Sequence, residues 1–167
     1  YSDYLPVDEG CSRDSDLYFK MQYDAAGYSA ANVVPGGYVP DGKRLYSQLR
    51  SLRRLRDRRS YVADVTGRFG LQYSREIREA AIEILKAQQG FTFEGGMNPL
   101  SYSNFLREVA RSRIVIDMPG LGPFCFRLVN YLAIGSCIIA YPHAALMHVP
   151  LVDRKHIVYC RPDMADL

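Results

Sequence analysis

Tryptophan is absent, histidine occurs three times, and the four cysteines at 11, 125, 137 and 160 form no C-x-x-C pair. That spacing argues against both a disulfide scaffold and a structural zinc site. The histidines, at 143, 148 and 156, lack the i, i+4 separation that puts two imidazoles on one helix face, so no metal is expected. Three of the cysteines lie in apolar stretches, where a free thiol behaves as a small core residue, and the pattern suits a reducing compartment. No apolar run reaches the ~20 residues that a membrane-spanning helix needs. The opening YSDYLPVDEG has neither an initiating Met nor the basic-then-apolar order of a signal peptide, so the chain reads as a piece of something longer. A G-x-x-x-x-G-K-[ST] phosphate loop is also missing, which disfavours a standard ATP site.

What is present fits a globular domain. With 167 residues, 48% of them hydrophobic and 23% charged, the chain is long and apolar enough to bury one core. Its charge is uneven. Residues 43–59 carry eight basic groups and one acid, Asp57, a local +7, so the overall +3 belongs to this segment and the rest is acidic. Nucleic acid is disfavoured as a partner, because aromatic stacking residues are scarce there. An anionic membrane surface is the alternative partner for a basic helix over 43–60, and a solvated amphipathic helix is the plainer reading.

Residues 1–40 are rich in Tyr, Asp, Gly and Pro, interrupted by strand-like runs at 17–19 and 33–34, and read as an interdomain connection or the tail of a preceding domain. The domain proper spans 41–167. Leu45, Leu49, Leu52 and Leu55 make one helical stripe, with Asp41 as its cap. YVADVTG reads as a strand ending at Gly67. Ile77, Ala80, Ala81, Ile84 and Leu85 mark a helix from about Ser74, stopped by Gly90. FTFEGG reads as a short strand with a double-glycine turn. SYSNFLREVARS is a helix with a serine cap at 101 or 103. RIVID, CIIAY and HIVYC read as strands, with a helix from near Phe124 to Gly135 between the first two, and DMADL as the start of a last helix. Strands alternating with helices predict an α/β, Rossmann-like parallel sheet.

In such sheets ligands bind beyond the carboxyl ends of strands, at helix N-termini. Two strand ends carry suitable loops: Thr66-Gly67-Arg68-Phe69-Gly70 and Pro119-Gly120-Leu121-Gly122-Pro123. Glycines at 120 and 122 are expected to take positive φ and leave room for a phosphate. The planar fork of Arg127, in the first turns of the following helix, suits a diphosphate. The dinucleotide fingerprint G-x-G-x-x-G fails, because Cys125 holds its third glycine position.

The longer word SRIVIDMPGLGPFCFRLVNYLAIGSCIIA resembles the nucleotide-sugar half of GT-B glycosyltransferases, in particular the spore-protein and exostosin-like groups. That family runs S-[KR]-I-x-[ILV], a glycine-rich turn, then [FY]-R-x-x-E-x-L-A-x-G-x-x-[IV]-[IV]. Ser112-Arg113-Ile114, Phe126-Arg127, Leu132-Ala133, Gly135, Ile138 and Ile139 fall in register. The similarity spans residues 61–167, more loosely through VPLVDRKHIVYCRPDMADL. NVVPGGYVP resembles the strand that precedes the donor domain.

The resemblance implies a GT-B donor domain that holds a nucleoside-diphosphate sugar, needs no further cofactor, and transfers the sugar to an acceptor across a cleft completed by an N-terminal Rossmann-like domain. It implies that Gly120, Leu121 and Gly122 lie against the diphosphate and that Arg127 is the catalytic residue, neutralising the leaving phosphate. Gly67 and Arg68 would approach the phosphates from the other side, and Asn130 would take the ribose hydroxyls. His143 is a candidate sugar or acceptor contact, against a plain loop position. Asp117 reads equally as a turn cap. The family's ribose-binding glutamate is Asn130 here, and its paired glutamates fall on Gly122 and Asn130. A catalytically inactive interaction domain is therefore the alternative function. The expected compartment is cytoplasmic, or the Golgi lumen if a preceding segment carries an anchor.

Overall fold

The computed structural model describes residues 5–37 and 42–167. Its elements in chain order are α1 (Glu9–Arg13), β1 (Tyr18–Lys20), β2 (Tyr23–Asp24), β3 (Val33–Pro35), α2 (Gly42–Asp57), β4 (Ala63–Arg68), α3 (Arg75–Ala87), β5 (Phe93–Gly96), α4 (Tyr102–Ala110), β6 (Ser112–Asp117), α5 (Phe126–Ile134), β7 (Cys137–Ala140), β8 (Ala145–Leu146) and β9 (Val158–Tyr159). Five strands form a wholly parallel sheet in the order β5-β4-β6-β7-β9. The chain is α/β, with helices flanking this sheet.

β6 explains why both faces are covered. Its apolar residues alternate, so Val115 packs into one core with α2, α4 and α5, while Ile114 and Ile116 face a second core built on α3. A strand apolar on both sides needs helices on both sides. The leucine stripe of α2 behaves as its spacing predicts, with Leu45 and Leu52 buried and Leu49 and Leu55 half-buried against the core. On α4, Leu106, Val109 and Ala110 are buried, and Ser101 caps the helix by accepting from the Asn104 N–H.

The basic helix is less solvated than its composition suggests. Arg53 Nε donates to Ala133 O at 2.8 Å, and Arg56 donates to Gly135 O, Ser112 O and Arg113 O. α5 ends in a left-handed Gly135 (φ 82°), with the Ser136 N–H returning to Tyr131 O, so these guanidiniums sit where exposed carbonyls gather and cations are favoured. Two of the segment's eight cations thus fasten α2 to the domain.

Several expectations are corrected. The double glycine at 95–96 is not a turn. Gly95 lies inside β5 at φ 148°, where a Cβ would fall 2.0 Å from Gly67 O, so two backbones meet without side chains between them. β4 continues through Gly67 to Arg68. DMADL forms turns instead of a helix. Cys137, at the head of β7, is exposed, and Cys160 is the one fully buried thiol among the four free cysteines. The proposed Asp41 cap lies outside the described residues.

The 5–37 segment packs onto the sheet domain. β2 pairs antiparallel with β8, and β1 pairs parallel with β3. Gln22, fully buried, donates from Nε2 to Phe124 O at 2.9 Å and accepts from Phe124 N–H at 3.0 Å through Oε1. An amide side chain so replaces a strand partner beside the start of α5. Among the described residues, no helix is long and apolar enough to cross a membrane.

Candidate functional site

After β4 the chain turns outward to β5. After β6 it turns to the opposite side of β4, towards β7. The crevice between β4 and β6 is therefore where the strand order reverses, the place where open parallel sheets bind ligands. A cleft of about 400 Å³ opens there, lined by Gly70, Gln72 and Tyr73 from one loop, Arg78 from α3, and the 120–127 stretch from the other.

The two loops are tied together. Ser74 takes a left-handed conformation (φ 46°), and its hydroxyl donates to Gly120 O at 2.7 Å instead of capping α3. A non-glycine residue there carries a small strain that the surroundings must hold. Gly120 is not in the left-handed region, which corrects the expectation of positive φ. Its requirement is close approach, since a Cβ would lie 2.6 Å from Cys125 Sγ and 3.4 Å from Arg78 Nη2. Its N–H donates to Gly122 O at 3.0 Å, so this donor is spent within the turn.

Two guanidiniums converge beneath that turn. Arg127 Nη2 donates to Met118 O at 3.0 Å and touches Cys125 Sγ at 3.4 Å, while its charge lies 5.3 Å above the Phe69 ring. Its Nε is buried with no hydrogen-bond partner among the described residues. Arg78 Nε donates to Pro119 O at 2.8 Å, Nη1 donates to Gly70 O, and Nη2 reaches Cys125 Sγ at 3.5 Å. Burial first, and then the charge of Arg127, push the Arg78 guanidinium below its ordinary range. Burial pushes the Cys125 thiol up despite both arginines, so it stays a neutral thiol at neutral pH. Two like charges around one sulfur are favourable only if something negative compensates them.

Among the described residues, the carboxylate whose charge acts on both guanidiniums is Asp117. It ends β6 with 1% of its side chain exposed, and neither carboxylate oxygen has a hydrogen-bond partner among the described residues. Its Oδ2 lies 3.5 Å from His143 Nε2, and His143 Nδ1 lies 3.1 Å from the Tyr159 hydroxyl. Burial first, then the charges of Asp153 and Asp117, raise the Tyr159 phenol. Among the described residues Asp117 is thus one carboxylate against two guanidiniums beside the cleft.

The sequence-expected residues divide clearly. Gly120, Leu121, Gly122 and Arg127 share the cleft wall. Arg68 does not reach it: its guanidinium grips both oxygens of Glu108 at 2.7–2.9 Å and donates to Asn98 O. Gly67 is a packing glycine under Phe69 and Ile116. Asn130 is buried on α5 and accepts from the Tyr102 hydroxyl at 2.9 Å, so it serves the α4–α5 contact. The His143 side chain is buried between Asp117, Tyr159 and the Phe124 ring, and is neither a cleft wall nor an exposed loop group. Arg78 was missed by sequence reasoning. Its signal was there, since 78, 81, 82 and 85 form the buried face of α3 and an arginine on such a face needs a reason.

Among the described residues, no group of three or more His, Cys, Asp or Glu side chains is placed to hold a metal ion. Comparison with known proteins finds no match among family models, curated proteins or solved structures.

Proposed function

We propose that this chain is the donor-binding half of a GT-B-like glycosyltransferase, holding a nucleoside-diphosphate sugar in the cleft between β4 and β6. The observation that carries the reading is the convergence of Arg78 and Arg127 on one wall at the strand-order reversal, with no carboxylate hydrogen-bonded to either guanidinium among the described residues. Positive charge under a glycine turn at a helix start suits a diphosphate. A leaving diphosphate gains charge as the glycosidic bond breaks, and fixed cations favour that state over the ground state. Arg127 is the residue assigned to this role.

The alternative is a relative that binds and does not transfer. Position 122 is glycine where the family carries a carboxylate, and Asn130 Oδ1 already accepts from the Tyr102 hydroxyl, so the oxygen that the resemblance would give to a ribose hydroxyl is shared with the α4–α5 contact.

The test is thermal unfolding with uridine or guanosine diphosphate. At a hundredfold excess over Kd, binding to the folded state adds about 2.7 kcal/mol, a rise of roughly 5–10 °C for a chain of this size. A well-folded protein with no shift at millimolar nucleotide rejects the reading. Release of nucleoside diphosphate from a nucleotide sugar by the full-length protein, set against Arg127→Ala, separates transfer from binding alone.

A further inference from the structure

A second recess lies at the end of the sheet opposite the cleft. α4 ends at Ala110 and β6 begins at Ser112, so the last turn of α4, with Arg107, stands at the amino ends of the strands. Arg56 reaches Ser112 O and Arg113 O and so brings the end of α2 to the same place. Between the two helices runs a groove of about 400 Å³, lined by Gln48, Ser51, Leu55 and three arginines, Arg54, Arg58 and Arg107. All three arginines are exposed, and none of their side chains has a hydrogen bond or an ion pair among the described residues. The acids closest in sequence are placed elsewhere. Glu108, beside Arg107, is held by Arg68, and Asp57, the one acid of the basic segment, lines a separate recess with Arg53, Arg56 and Arg59. Helix C-termini favour cations, and Arg53 and Arg56 serve that need by bonding the carbonyls that end α5. The groove arginines bond none. Like charges facing one groove repel, a cost that a bound anion removes.

We propose that this groove docks an acidic linear segment of a partner protein, with its carboxylates on Arg54, Arg58 and Arg107 and an apolar side chain over Leu55. Arginine forks take carboxylates in bidentate fashion, and arginine clusters are a recurrent way of reading acidic motifs. Charge complementarity gives the occupant its sign, and shape narrows its class. A groove between two helices admits one chain, whereas a lipid surface is broad and meets only the rim. The lining holds no aromatic ring on which a base could stack, which sets single-stranded nucleic acid aside. No arginine is shared with the cleft, so this surface stands whatever the cleft binds.

The experiment is fluorescence anisotropy of the chain with a labelled peptide of Glu-Glu-Leu repeats, its Gln-Gln-Leu counterpart and a labelled polyuridine, together with co-sedimentation on vesicles of phosphatidylserine and phosphatidylcholine. The glutamate peptide is expected to bind on the order of tenfold more tightly than the glutamine peptide, and to weaken as salt rises. Arg54→Gln, Arg58→Gln and Arg107→Gln are each expected to lose about two- to fivefold towards the glutamate peptide. Arg44→Gln removes the same charge from α2 outside the groove and is expected to leave that binding unchanged. All four positions are exposed and glutamine is a good helix former, so the variants are expected to keep the parent's Tm. Equal binding of the two peptides, binding of neither, or an equal loss from Arg44→Gln overturns the proposal. Polyuridine or vesicles held more tightly than the glutamate peptide, through the same three arginines, overturn a protein segment as the occupant.

Discussion

Replacing Gly120 by alanine tests the geometry of the turn directly. The added Cβ would lie 2.6 Å from Cys125 Sγ, closer than real Cβ atoms approach, and 3.4 Å from Arg78 Nη2, an ordinary contact. Overpacking of this kind costs about 1–3 kcal/mol. Because the φ of Gly120 is open to any L-residue, alanine also stabilises by about 0.4–1 kcal/mol through a less flexible unfolded chain. The net expected loss is about 1–2 kcal/mol, or roughly 2–8 °C in Tm at this chain length. In a Cys125→Ala background the clashing sulfur is gone and only the unfolded-state gain remains, so the same substitution is expected to change sign. Urea unfolding of the parent, both single variants and the double variant closes a double-mutant cycle with a coupling of about 1–3 kcal/mol. The loss of the Cys125 contacts to Arg78 and Arg127 is common to both arms and cancels. Alanine at 120 costing the same in both backgrounds would refute the packed turn, and with it the placement of both guanidiniums under it.

Two further outcomes are expected. Tyr131 is fully buried with no partner for its hydroxyl among the described residues, so Tyr131→Phe should be neutral to about 1 kcal/mol stabilising in urea unfolding, and a loss beyond 1 kcal/mol would reveal a bond to that oxygen. Asp64 accepts from the Thr92 N–H and hydroxyl, which hold its carboxyl below the ordinary 3.8. Its folded pKa lies under its unfolded one, so its contribution is present above about pH 4 and fades as pH falls through the folded value. The stability gap between parent and Asp64→Asn should therefore narrow in acid, and a gap equal at pH 7 and pH 2.5 would contradict the assignment.

The fold was largely readable because it follows from periodicity. β6 and β7 are apolar on both faces, α4 and the α2 stripe repeat at helical spacing, and Ser101 and Gly135 close their helices as residue type dictates. The C-terminal DMADL misled because an acidic start and a few apolar residues fit a capped helix and a pair of turns equally well. The site was read in part. Glycines near a strand end announce a close approach and do not say what approaches: at 120 it is Cys125 Sγ, and at 67 it is the Phe69 ring. Arg68 matched a loop pattern and Asn130 stood where the pattern has a glutamate, but neighbours distant in sequence, Glu108 and Tyr102, took their hydrogen bonds. Arg78 escaped notice because a helical pattern is scored on its apolar members, and the buried charge among them is the informative exception.

The bond between Gln22 and Phe124 couples regions about a hundred residues apart in the chain. Phe124 adjoins the thiol that both arginines touch. Residues 20–24 thus brace the backbone just before α5 through two hydrogen bonds from a single amide side chain, and the wall that carries Cys125 and Arg127 begins from that brace.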